Sequence, residues 1–216
     1  MLAHFASLLS DAERELWLGL DRPAAIQAFL DRTPYSPEDA NRCPLQVLGD
    51  GLAHCLDGAL FAAAALWRLG YAPLVIDLFP EPETDDDHVL AVYQIDGRWG
   101  AVAKSNYVGL RFREAIYRDL RELALSYFEA FYNLYGEKTL RAYTRPLNLA
   151  RYGKTGWLWR QEGADVVYKR LLASRPIPLL TPAMAGRLSP MDKLSYEAMM
   201  QGVNLAGVYR PRKHAG

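Results

Sequence analysis

Cysteine and histidine are scarce in this chain, with two of the first (Cys43 and Cys55) and four of the second among 216 residues. They show no zinc-ligand spacing, and two thiols cannot build a disulfide-dense scaffold. An excess of either charge is also missing, with 25 basic residues against 25 acidic ones. That balance argues against a non-specific binder of nucleic acid or of anionic membranes. No apolar run approaches the roughly 18 residues a membrane helix needs. No basic stretch followed by an apolar one opens the chain, so no signal peptide is visible. The expectation is a cytoplasmic protein with both thiols free. Internal repeats and low-complexity segments are absent too. What is there is an ordinary globular composition, half apolar and 23% charged. The length suffices for a full core as one domain, or as one domain plus a helical appendage.

The chain is organised around Asp50 to Asp77. A glycine-containing turn leads into Cys55, and from there to Leu69 nearly every residue is apolar and helix-forming, which predicts a helix buried on most sides. Gly70 tolerates the left-handed dihedrals of a helix stop, and Pro73 prevents resumption. Leu74 to Phe79 reads as a buried strand. A cysteine in the first turn of a buried helix sits among unpaired N–H groups at the positive end of the dipole, where a thiolate is stabilised.

Before this stretch, helical spacing runs through residues 1–30, with Ser10 and Glu13 as a capping pair and Pro23 in the first turn of a helix reaching about Asp31. Thr33 to Pro44 reads as a loop. After it, Pro80 to Asp87 reads as an exposed acidic loop; Asp85 to Asp87 lack the turn glycine of an EF-hand. His88 to Ile95 alternates as a strand, Asp96-Gly97 is a hairpin turn, and Arg98 to about Ser105 returns as its partner. Tyr107 to Arg113 is left unplaced. Asp119 to Tyr135 is predicted as one helix with an aromatic stripe, Lys138 to Leu149 as a strand, and Ala164–Ala173 and Ser189–Gln201 as helices. The basic tail, Arg210 to His214, reads as disordered.

Taken singly, a buried cysteine is an ordinary core residue and a histidine at a strand start is usually just hydrogen-bonded. Their order and flanks say more. Cys55 heads the helix, the segment Ala64 to Pro73 reads Ala-Ala-Leu-Trp-Arg-Leu-Gly-Tyr-Ala-Pro, His88 opens the following hairpin, and Asp-Gly-Arg-Trp follows at 96–99. This ensemble, over residues 45–110, resembles the transglutaminase-like superfamily of papain-type cysteine enzymes. The resemblance implies an α+β fold: a papain-like, transglutaminase-like core with its central helix packed on an antiparallel sheet, and extra N- and C-terminal helices. Residues 1–150 would form that core with the N-terminal helices, and 151–216 a C-terminal helical extension on the same domain.

The resemblance also implies Cys55 as nucleophile, His88 as its acid–base partner, and a third residue orienting the imidazole. The family's aspartate is missing, because Ala103 stands four residues after Trp99. A two-residue hairpin loop places Ser105 opposite His88, and a three-residue loop places Asn106 there. Geometry favours Ser105; chemistry favours Asn106, whose amide oxygen orients imidazole better; a backbone carbonyl close by is the remaining alternative. Asp57, a second anion near the thiol, is unfavourable but points to another helix face. Cys43 and His54 are weaker candidates.

The implied function is acyl transfer, hydrolysing or transamidating an amide or peptide-type bond through a Cys55 acyl-enzyme, without cofactor or metal. The partner would be a peptide, a protein or an amide-containing small molecule. The alternative is a catalytically degenerate fold that serves as a binding or interaction module.

Overall fold

Several helices open on a capping side chain or on a proline, whose missing N–H leaves one fewer main-chain donor to satisfy. The computed structural model describes residues 1–211; Arg212 to His214, the end of the expected disordered tail, lie outside the described residues. Helix α1 (Leu2–Ser7) is followed by α2 (Asp11–Gly19), which starts on the reciprocal cap of Ser10 and Glu13. Pro23 opens α3 (Pro23–Arg32), and Pro44 opens α4 (Pro44–Asp50) after the expected loop. Gly51, at φ 63°, ends α4 and turns the chain toward α5 (Cys55–Arg68), in which every residue from Cys55 to Leu66 is buried.

The strands follow as β1 (Leu74–Pro80), β2 (His88–Ile95), β3 (Arg98–Val102) and β4 (Arg113–Tyr117). Ile95 pairs with Arg98, so Asp96-Gly97 forms a two-residue turn with both residues at positive φ, 49° and 74°. After α6 (Leu120–Leu125) come β5 (Leu140–Tyr143), β6 (Leu147–Asn148), α7 (Gln161–Leu172) and β7 (Ile177–Pro178), then α8 (Pro182–Ala185) and α9 (Lys193–Met199). The sheet order is β4-β3-β2-β1-β5-β7, with β6 also on β1, and every pairing is antiparallel. The α+β class with an antiparallel sheet is therefore the observed one.

Alternation along the strands feeds two cores. Val75, Val89, Ala91 and Val102 pack with α5 and the N-terminal helices on one face. Ile76, Leu90, Val92 and Ala101 pack with Leu123, Tyr127 and Phe131 on the other. The single helix expected over Asp119 to Tyr135 is instead α6, a 3-10 turn at Phe128–Ala130 and an irregular return. Ser126 bonds back to the carbonyl of Leu123 at 2.6 Å where α6 ends. The aromatic rings then wrap beneath the sheet, with Tyr127, Phe131 and Tyr132 buried, rather than line one helix face. Pro146 divides the expected strand over Lys138 to Leu149 into β5 and β6, and α9 is shorter than Ser189–Gln201. The C-terminal third is not purely helical, since β7 extends the sheet beyond β5. Among the described residues no helix is long and apolar enough to cross a membrane.

Candidate functional site

Cys55 is the first residue of α5 and is 9% exposed. The main chain just before it is fixed from two sides. Ala53 forms a bridge with Tyr35. Asp57, fully buried, accepts from the N–H of Arg42 at 2.6 Å and from that of His54 at 3.1 Å. Arg42 reaches on to Glu38, Asp50 and Ser36. Asp57 is thus committed to holding the approach to the helix. Burial drops His54 to a pKa of about 4, so its ring, 3.2 Å from Asp57, is neutral at pH 7 and is a structural neighbour. Cys43, the weaker thiol candidate, is fully buried at the cap of α4.

The carboxylates that oppose a Cys55 thiolate come from the acidic loop and from β1. Burial pushes the thiol well above its ordinary value, and Asp86, Asp87 and Asp77 raise it further. The loop is not simply solvated. Asp85 accepts from Thr139 Oγ1 at 2.8 Å, while Asp85 and Asp86 each accept the N–H of the next residue. Asp77, on β1, is 1% exposed and adjoins Asp87; burial and the Asp87 carboxylate hold Asp77 above the usual range, while burial and Asp86 raise Asp87 and its bond to Asp77 pulls it back. Among the described residues no three His, Cys, Asp or Glu side chains converge to hold a metal ion.

His88 opens β2 and is 4% exposed. Strand alternation turns it, with Leu90 and Val92, away from α5, and its ring meets Tyr127 edge-on with 6.4 Å between centroids. Its Nε2 lies 2.7 Å from the main-chain oxygen of Leu110. A carbonyl only accepts, so Nε2 carries the proton and Nδ1 is left with the lone pair. Burial lowers this imidazole to a pKa of about 4. Cysteine and histidine are both neutral at pH 7. The Cys55 thiol hydrogen-bonds the carbonyl of Asp87 at 4.0 Å and not the His88 ring.

Neither expected orienting side chain reaches His88. The β2–β3 pairing stops at Ala91 with Val102. The N–H and C=O of Ala103 are both taken by the side-chain amide of Gln27, at 3.0 and 2.9 Å. Lys104 then turns into the carbonyls of Leu30 and Thr33. Past that point the chain has left the sheet. Ser105 Oγ accepts from the N–H of Tyr107 at 3.0 Å. The amide of Asn106 binds the main chain of Asn204, its Oδ1 accepting at 2.8 Å and its Nδ2 donating at 2.9 Å. The orienting group is a backbone carbonyl, set in a 3-10 turn (Val108–Leu110) inside the stretch the sequence left unplaced.

Cys55, His88, Ser105 and Asn106 nevertheless line one cavity of about 40 Å³, roomy enough for a water molecule. Beside it lies a larger cavity of about 310 Å³, which Cys55 also lines. Tyr35, Gly207 and Tyr209 border both. Glu38, Asp39, Asp86 and Asp87 line the larger one, and no lysine or arginine does among the described residues. No protein-family model matches this chain, and no curated protein sequence matches it either.

Proposed function

We propose that this protein is a cysteine-dependent acyl-transfer enzyme built on a papain-like, transglutaminase-like core, acting on an amide or peptide-type bond. The observation that carries the reading is that the first-turn thiol of α5 and an imidazole with its Nε2 pinned to Leu110 line one cavity. Both groups start neutral, so the thiol proton passes across that cavity to Nδ1 as sulfur attacks the carbonyl. The carbonyl electron pair moves to oxygen, which the first-turn N–H groups of α5 receive, since they have no acceptor within the helix. The intermediate collapses, Nδ1 returns the proton to the leaving amine, and the acyl group stays on Sγ. Water or a second amine then gives its proton to Nδ1, attacks the thioester and releases the thiol. The two free cysteines, Cys43 and Cys55, suit a reducing, cytoplasmic setting.

A second reading is a binding module on the same fold. It draws on the carboxylates around Cys55, which oppose the thiolate. An activity-based electrophile aimed at cysteine hydrolases separates the two. Labelling of Cys55 that His88→Ala abolishes supports the enzyme. Labelling of Cys55 no faster than that of a free thiol, and indifferent to His88, supports the module.

A further inference from the structure

Asn106 spends its whole side-chain amide on another segment's main chain. Oδ1 and Nδ2 bracket the N–H and C=O of one residue, Asn204, and Nδ2 lies 3.3 Å from the carbonyl of Gly207 as well. Such a pair reads backbone, not sequence. Nearby, Asn204 Nδ2 donates to the carbonyl of Tyr35 at 3.2 Å. Gly207 packs against the Tyr35 ring, so close that a Cβ there would fall 2.8 Å from a ring carbon. From this seat the chain borders both cavities that Cys55 lines. The segment is weakly anchored otherwise: the turn Leu205–Gly207 contains no buried residue, and Leu205 is 63% exposed.

We propose that residues 204–209 form an occluding strap seated in a peptide-binding groove of the Cys55 site, with Asn106 reading the occupant's main chain and Tyr35 selecting glycine at the position above its ring. This rests on the reading of Cys55 as the reactive thiol of a peptide-type site and adds both a substrate class and a means of control. Because Asn106 contacts only backbone atoms, a peptide of different sequence can make the same bonds once the strap lifts. The requirement at the Tyr35 ring is steric, and glycine meets it. A segment held by a few polar bonds and little apolar area belongs to the low-stability end of the molecule, where local opening is frequent.

The test uses the full chain. In Gly207→Val the branched side chain collides with Tyr35 and lifts the strap without touching Asn106; Asn106→Ala lifts it by removing the clamp. In both, amide hydrogen exchange over 204–209 and iodoacetamide alkylation of Cys55 are expected to rise at least tenfold, with Cys43 as the unreactive internal control. A synthetic peptide of residues 202–211 added to the Gly207→Val protein should slow Cys55 alkylation again, and the same peptide carrying valine for Gly207 should not. Unchanged exchange and alkylation in both variants would overturn the strap. A peptide with no protective effect would overturn the groove. None of these readouts needs turnover, so a catalytically inert Cys55 leaves them standing, and an active Cys55 does not rescue them.

Discussion

His88 Nε2 and the carbonyl of Leu110 stand 2.7 Å apart, and Arg113 holds that carbonyl's turn in place. The guanidinium donates to Gly109 O, Phe112 O, Ser126 Oγ and Ser126 O, and lies 3.9 Å over the Tyr127 ring that His88 also meets. Arg113 is therefore a positioning residue for the imidazole. Lysine cannot reproduce the planar fork. Arg113→Lys should lower kcat by roughly tenfold to a hundredfold with KM little changed, as expected when a catalytic group is displaced by about 1 Å. The His88 Nε2–H resonance should broaden in parallel. A sharp, unshifted resonance in a variant with reduced kcat would show that Arg113 acts elsewhere.

Ser105→Ala should leave kcat within about twofold of the parent and cost about 1 kcal/mol of stability, the net value of one hydrogen bond to the N–H of Tyr107. Turnover and chemical denaturation on the same sample check both halves. A tenfold loss of kcat would restore Ser105 as the orienting residue and remove Leu110 from that role.

The features that read correctly from the sequence are local ones. The Ser10–Glu13 cap, the Pro23 helix start, the Asp96-Gly97 turn and the helix from Cys55 each rest on residues within a few positions of one another. The hairpin register was also legible, and it matches the two-residue loop. What was not legible is where β3 ends, because Gln27, 76 residues earlier, takes over the main chain of Ala103. A backbone acceptor such as Leu110 O leaves no side-chain signature. The partner of Asn106 lies 98 residues away, in a stretch with no motif. The acidic loop is exposed at Glu81, Pro82, Glu83 and Asp86, as its composition suggests, whereas Asp85, bonded to Thr139, and Asp87 are half-buried.

Gly58, one turn into α5, is required by contact and not by dihedral. A Cβ there would lie 2.2 Å from Lys104 Cβ and 3.3 Å from Lys104 Cα, atoms that cannot swing aside. Alanine gains about 1 kcal/mol in helix propensity over glycine. Overpacking costs about 1–3 kcal/mol and more against backbone. Gly58→Ala should therefore lower Tm despite the better helix former, and circular dichroism melts decide it. A higher Tm would mean that α5 and the Lys104 segment are less closely packed than described.

Asp86 is the first of the carboxylates that oppose ionisation of Cys55, after burial itself. Asp86→Asn should lower the thiol pKa and speed alkylation at pH 7.5 by roughly two- to tenfold, the scale of one nearby charge. Desolvation remains, so the thiol stays above its ordinary range. Added salt should shrink the difference between the two proteins, because part of it is screened. Equal rates at low ionic strength would place Asp86 too far from sulfur to matter.

His88 also ties stability to pH, and the sign is fixed by its depressed pKa. The folded protein holds the ring at about 4, against 6.5 when unfolded. Between those values the unfolded chain binds the extra proton, so this residue's contribution is complete above pH 6.5 and is lost as pH falls toward 4. The difference corresponds to about 3 kcal/mol at 1.36 kcal/mol per pKa unit. Asp57 and Asp85, raised by burial to about 7, act in the opposite direction, favouring the fold below their unfolded values and losing that contribution as pH rises toward 7. Total stability is therefore a poor readout, and the difference between the parent and His88→Asn is a good one, since the carboxyl contributions cancel. That difference should grow in the parent's favour by about 3 kcal/mol from pH 4 to pH 7. In turnover, the same neutral imidazole predicts no inflection near 6.5, only an acid limb close to 4. A stability difference that is flat with pH, or a rate profile bending at 6.5, would mean that the ring is solvated, and the Leu110 anchor would not survive that result.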